Sequence, residues 1–345
     1  MNRPARYRIR HATRYDYGAD VVHSHQLLHL VPRPAPYQQC LEHTLDIAPR
    51  PTHRRDDIDA FGNPVIRVEF ELPHRELAVT THMEVQVYPR PVLQPEDSHP
   101  WEQVAGQLRY HGHSPGRDSR ETAPFRHESP YVRVKQAFTD YAADCFNPGR
   151  PVLAAAGALM EKLHRELQYA PGATTIATPL MEVLEKRRGV CQDYAHLMIA
   201  CLRSRGLAAR YVSGYVRVRP PDAAGPAPAA APAPEPVPQP ATAPASQPAA
   251  APALEPASPP APQPAPALVG GGASHAWVDV YAPPLGWVEL DPTNNAWVGL
   301  EHVAVAIGRD FGDVSPLRGI ILGGGHHQLS VDVSVEPRAA SPPAP

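Results

Sequence analysis

Residues 188–197 read Arg-Gly-Val-Cys-Gln-Asp-Tyr-Ala-His-Leu, and they mark the start of a helix at Cys191. The apolar side chains that follow have the spacing of one buried helix face: Tyr194, Leu197, Met198, Cys201 and Leu202. A helix N-terminus offers free N–H groups and a partial positive charge, which favour a thiolate and can stabilise an oxyanion on a substrate carbonyl. Cys191 is therefore the candidate nucleophile, with a purely structural cysteine as the alternative.

A predicted β-hairpin downstream carries His275 at its start and Asp291 at its end. If the turn spans residues 282–286, Asp291 lies opposite Trp277 and so shares one face of the hairpin with His275. A carboxylate beside the imidazole would fix its tautomer and stabilise the imidazolium, and the imidazole would deprotonate the thiol. A turn displaced by one residue would place the two side chains on opposite faces.

Other residues near the motif fit the chemistry less well. His196 lies about 140° around the helix and about 7.5 Å along it from the nucleophile, which makes it a poor base. Cys201 is about 15 Å along the same helix, too far for a disulfide, and is interpreted as core packing. Asp193 could orient the helix start by accepting backbone N–H groups, or could be an inert exposed side chain. Cys40 and Cys145 show no partner pattern.

Alternating polar and apolar residues before the motif predict strands. Residues 7–17 place Tyr7, Ile9 and Thr13 on one face and arginines on the other, and residues 66–72 and 77–87 repeat the period of two. We expect an antiparallel β-domain over residues 1–90, arranged as a sandwich.

The rest of the chain divides by composition. A polar, proline-containing linker is expected over 91–127 and a core of helices packed on an antiparallel sheet over 128–335. The chain has 45 prolines in 345 residues, and many lie in an Ala/Pro-rich insertion over 221–270, which predicts an extended, disordered segment. A passive spacer is a better interpretation of it than a proline-rich ligand for a partner. A disordered tail is expected over 338–345.

Composition narrows the function classes. The formal charge of −3 and pI of about 6.6 do not favour nucleic acid as a partner, and no apolar run reaches the roughly 18 residues of a membrane span. The absence of an apolar signal core and the low cysteine content favour a cytoplasmic protein. Histidines cluster at His23 and His25, at His111 and His113, and at His326-His327, but none has zinc-type spacing, and no nucleotide-binding motif is present. We expect no cofactor and no metal.

The ordered motifs resemble bacterial transglutaminase-like proteins. The resemblance covers most of the chain outside the insertion and rests on Arg188–Leu197, Ala209–Tyr215, Ser274–Val278, Gly286–Asn294 and Gly308–Pro316, with the N-terminal strands around Phe61-Gly62-Asn63. It implies a papain-like α+β core after the N-terminal β-domain, with a Cys-His-Asp triad on Cys191, His275 and Asp291.

These features predict a thiol enzyme that acts on amide or peptide bonds of a protein or peptide substrate through a thioester. The acyl group would pass to an amine or to water, so transglutaminase, deamidase and protease all fit. The alternative is a catalytically inactive scaffold that binds peptides or proteins with the same fold. The sequence gives no oligomeric state.

Overall fold

The computed structural model describes residues 3–109, 117–218, 268 and 273–338. The predicted insertion over 221–270 lies outside the described residues, apart from residue 268. The predicted tail also lies outside them from residue 339 onwards, whereas Arg338 is the last residue of a strand.

Fourteen strands are found in the described part of the chain. They are β1 (Ala5–Leu28), β2 (Gln38–Ala48), β3 (His53–Ile58), β4 (Pro64–Phe70), β5 (His74–Val87), β6 (Gln168–Tyr169), β7 (Arg188–Gly189), β8 (Ala209–Val216), β9 (His275–Tyr281), β10 (Trp287–Asp291), β11 (Ala296–Trp297), β12 (His302–Gly308), β13 (Leu317–Gly323) and β14 (His327–Arg338).

Seven α-helices lie in the same ranges, and none of them is long and apolar enough to span a bilayer. They are α1 (Trp101–Leu108), α2 (Arg117–Thr122), α3 (Gln136–Tyr141), α4 (Val152–Glu166), α5 (Leu180–Lys186), α6 (Cys191–Ser204) and α7 (Phe311–Val314).

The N-terminal strands form one antiparallel sheet in the order β2-β5-β1-β4-β3. The long strand β1 organises it, because Tyr7 and Ile9 point into the core while Arg8 and Arg14 are exposed, as the alternation predicts. The antiparallel β-domain is thus found in the structure. The arrangement of its strands as a sandwich stays a prediction, since hydrogen bonds join all of them into a single sheet.

The last two strands belong to this same sheet. β14 pairs with the first half of β1, where Tyr7 is opposite Pro337, and β13 pairs with the second half, where Leu28 is opposite Leu317. The sequence predicted the strand character of 329–335 but placed it in the 128–335 core. Alternation identifies a buried face and gives no information about the neighbouring strand, so this pairing was not accessible from the pattern.

The described residues of the predicted 91–127 linker, 91–109 and 117–127, contain helices. Within them α1 buries Val104, Ala105 and Leu108 in the same cluster as Leu197 of α6. These apolar residues recur at helical spacing, and burying them adds area to the core. The helical spacing of only three apolar residues was outweighed in the sequence by the polar residues and prolines around them.

The core sheet has the order β11-β10-β9-β8-β12 and is antiparallel, and α4 and α6 contribute to the apolar cluster against it. Asn63, which directly precedes β4, connects the N-terminal sheet to β12, the edge strand of the core sheet. Its side-chain amide donates to the carbonyl of Ile307 at 2.8 Å and accepts the N–H of Ile307 at 2.9 Å. This paired contact fixes β12, which also carries part of the candidate site. A mixed α+β fold with antiparallel sheets is therefore confirmed.

Gly214 lies in β8, in close contact with Val303 of β12 and Trp277 of β9. A Cβ there would overlap the carbonyl oxygen of Val303 and would lie 2.5 Å from the ring of Trp277. Gly214→Ala should therefore lower the free energy of unfolding by about 3 kcal/mol, measured by urea denaturation. Gly106→Ala is the matched control: in α1 a Cβ meets no described atom within 4 Å, so stability should rise by up to about 1 kcal/mol. Equal effects of both changes would contradict the close approach at Gly214.

Candidate active site

The start of α6 is held by a buried carboxylate. Asp193 accepts the N–H of Val190 at 2.8 Å and the hydroxyl of Thr174 at 2.6 Å, so of its two interpretations the orienting one is correct. A Cβ on Gly189 would lie 2.6 Å from the same carboxylate oxygen, so only glycine permits this contact. The helix therefore begins at the half-buried Cys191 in a fixed orientation.

The hairpin has the register expected from the sequence. Leu290 pairs with Val278, and the turn closes through the N–H of Ala282 and the carbonyl of Gly286 at 2.7 Å, with Gly286 at φ 79°. His275 and Asp291 consequently lie on one face, and His275 Nε2 is 2.8 Å from Asp291 Oδ2. Both side chains are fully buried.

Asp291 is saturated with hydrogen-bond donors. Its Oδ2 accepts from His275 Nε2, from Asn294 Nδ2 at 2.7 Å and from His302 Nε2 at 3.1 Å. Its Oδ1 accepts the backbone N–H groups of Thr293 and Asn294 at 3.0 and 3.2 Å. A buried carboxylate with this many donors stays ionised.

His302 is a member of the site that the sequence analysis missed. Its Nδ1 accepts the N–H of Gly299 at 3.5 Å, which leaves Nε2 as the donor to Asp291. Its ring packs edge-on against Trp277, with centroids 5.3 Å apart. Nothing in the sequence marks His302, because it reaches the carboxylate from β12, which is not adjacent to β10. Asn294 lies in the 286–294 motif, but its role as a donor to Asp291 was not predicted.

The electrostatics of the pair favour an imidazolium. Burial alone lowers the pKa of His275, but the charge and hydrogen bond of Asp291, together with the Cys191 thiol, outweigh it and raise that pKa from 6.5 to about 10. Burial opposes ionisation of Asp291, yet the two histidines lower its pKa below the usual value. Nδ1 of His275 has no hydrogen-bond partner among the described residues. Because Asp291 engages Nε2, Nδ1 is the nitrogen available to Cys191.

The remaining candidates lie elsewhere. His196 accepts the N–H of Phe311 at 3.1 Å, and burial lowers its pKa to about 3, so its Nε2 is engaged away from Cys191. Cys201 is fully buried in the core cluster, as expected. Cys145 is buried, Cys40 is half-buried on β2, and all four cysteines are free thiols.

Comparison with known families matches both parts of the chain. Residues 7–86 match the bacterial transglutaminase-like N-terminal region, and residues 139–292 match the transglutaminase-like superfamily. The second range contains the start of α6 and the β9–β10 hairpin, so the matched region carries all three predicted site residues.

Individual relatives extend this match to nearly the whole chain. An uncharacterised protein from Mycobacterium tuberculosis is 33% identical over 340 residues, covering 96% of this chain and 92% of the relative. An uncharacterised protein from Mycobacterium leprae is 28% identical over 331 residues, covering 96% and 98%. The crystal structure of a proposed cysteine protease from Cytophaga hutchinsonii matches with a TM-score of 0.65 at 16% identity, covering 99% and 93%, which shows a shared fold.

The fold and the two matched ranges define the class to which the chain belongs. The chain belongs to the transglutaminase-like superfamily and begins with that family's bacterial N-terminal region.

The raised pKa of His275 gives a test of the site electrostatics. Asp291→Asn should bring that pKa well below 10, because burial would then be opposed only by the thiol. Histidine ring resonances followed by NMR against pH report this directly, with the exposed Asp332→Asn as the control variant. In the wild type, the stabilisation from His275 is complete below pH 6.5 and is lost as the pH rises towards 10. An unchanged titration in Asp291→Asn would contradict the ion pair.

Proposed function

We propose that the protein is a thiol enzyme that acts on amide or peptide bonds, with Cys191 as nucleophile, His275 as acid and base, and Asp291 as the residue that orients His275. The observation that carries the proposal is the buried 2.8 Å contact between His275 Nε2 and Asp291, which leaves Nδ1 for the thiol. The half-buried position of Cys191 at the start of α6 supports it further.

The first step uses the groups in this order. The thiolate of Cys191 attacks the carbonyl carbon of the substrate, and the carbonyl oxygen becomes an oxyanion. Backbone N–H groups at the start of α6, including that of Cys191, stabilise this charge. The imidazolium of His275 gives its proton to the leaving nitrogen, the C–N bond breaks, and a thioester remains.

The second step transfers the acyl group. An amine or a water molecule gives a proton to the neutral imidazole and attacks the thioester, and the thiolate of Cys191 leaves with the C–S bonding electrons. The acceptor determines whether the reaction is transglutamination, deamidation or proteolysis, and the triad serves all three. The substrate class is a protein or peptide.

A papain-like arrangement of α6 against the β8–β10 strands is part of the proposal. It is supported by the nucleophile at the start of the helix and by the imidazole and carboxylate on adjacent strands of the sheet that the helix packs against. The cytoplasmic location and the absence of nucleic-acid and membrane partners stay predictions from composition.

Reactivity of the thiol distinguishes an enzyme from an inactive scaffold. At neutral pH, iodoacetamide should label Cys191 rapidly in the wild type, and Cys191→Ala should remove this labelling. His275→Ala should slow the labelling by about tenfold or more, because the base and its positive charge are lost. Labelling is read by mass spectrometry of the tryptic peptides.

The matched control is Cys40→Ala, which removes a half-buried thiol on β2 and should leave the fast labelling unchanged. Fast labelling that persists in Cys191→Ala would contradict the nucleophile. A rate that does not change in His275→Ala would favour the scaffold. Incubation with a glutamine-containing peptide library and an amine then separates amine transfer, deamidation and cleavage by product mass.

A further inference from the structure

One exposed face of the N-terminal sheet gathers metal-binding side chains. His23 and His25 alternate along β1 and therefore point the same way, while Ser24 between them is buried on the opposite face. Glu69 lies on the neighbouring strand β4, directly opposite His25 in the antiparallel register. The backbone pairing of two strands thus brings three side chains together that are distant in sequence.

The ligand atoms of these three side chains converge. His23 Nε2 lies 2.8 Å from His25 Nε2, and Glu69 Oε1 lies 3.6 Å from the first nitrogen and 3.4 Å from the second. Zinc binds imidazole nitrogen and carboxylate oxygen at about 2.0–2.2 Å, so ligands in a tetrahedral site lie about 3.3 Å from one another. The observed triangle is close to that size.

Further side chains of the same kind lie on this face. His53 of β3 is opposite Glu69 on its other side, and His53 Nε2 is 3.8 Å from Glu71. The neighbouring Arg67 is 3.9 Å from Asp57, so a carboxylate partly offsets its positive charge. Imidazole and carboxylate groups therefore lie around Glu69 together with guanidinium groups, including Arg55, which is opposite Arg67 and 3.3 Å from Asp57.

We propose that His23, His25 and Glu69 form a binding site for a divalent transition-metal ion of the zinc class. Two imidazoles and one carboxylate are a donor set that zinc accepts, with a further position open to water or another ligand. Calcium and magnesium prefer sets built mainly from oxygen, so the two nitrogens disfavour them. The metal would join β1 to β4 outside the candidate active site. No metal was expected from the sequence because the His23–His25 pair lacks zinc-type spacing, and Glu69 lies far along the chain from it.

The direct test is calorimetric titration of zinc chloride into the full chain carrying Cys191→Ala, because the half-buried thiol would otherwise compete for the ion. We expect one site at this cluster. His25→Ala and Glu69→Gln, each in that background, should lower its affinity by about tenfold or more. His82→Ala is the matched control, because it removes an exposed histidine from β5 of the same sheet and should leave the affinity unchanged.

Two further measurements do not depend on calorimetry. Electron paramagnetic resonance of one equivalent of copper(II) should show hyperfine coupling to two imidazole nitrogens, reduced to one in His23→Ala. Zinc should raise the melting temperature of the Cys191→Ala chain but not of the chain that also carries His25→Ala. No zinc binding, or binding that is as tight in His23→Ala and His25→Ala as in the chain with all three ligands intact, would overturn the proposal and leave the triangle as a hydrogen-bonded histidine pair. None of these readouts depends on the chemistry of Cys191, His275 or Asp291, so the outcome is independent of the proposed reaction.

Discussion

The site depends on a carboxylate that is charged inside the protein. Removing an ion from water costs several kcal/mol, and only multiple well-placed donors offset that cost. Asp291 receives them from His275, His302, Asn294 and the backbone of Thr293. The donors come from three segments, so the β9–β10 hairpin, the turn after it and the start of β12 are all tied to one oxygen pair. The packing of Asn63 on β12 extends this dependence to the N-terminal sheet.

The His275–Asp291 pair and the start of α6 could be predicted from local sequence patterns. Turn residues fix the register of a two-stranded hairpin, and register fixes which side chains share a face. The closure from Ala282 to Gly286 therefore sufficed to place His275 beside Asp291. The start of α6 was predicted from Gly189 and from the apolar helix face that follows it. The contact between Asp193 and the N–H of Val190 was one of the two possibilities stated for that side chain.

Long-range pairing accounts for what sequence reasoning missed. His302 reaches Asp291 only because β12 joins the far edge of the core sheet, and β13 and β14 extend the sheet of β1 from the other end of the chain. Alternation shows which face is buried, but the partner strand depends on the whole topology. The helix α1 is a different case, since its three buried residues were visible at helical spacing and were outweighed by the polar residues around them.

The pairing of Gly214 with His275 has a consequence for how this protein can be altered. Backbone hydrogen bonds between β8 and β9 place the imidazole, so its position is set by the described strands themselves. Changes to the chain between residues 218 and 273 that preserve the β8–β9 pairing should therefore leave the imidazole in place.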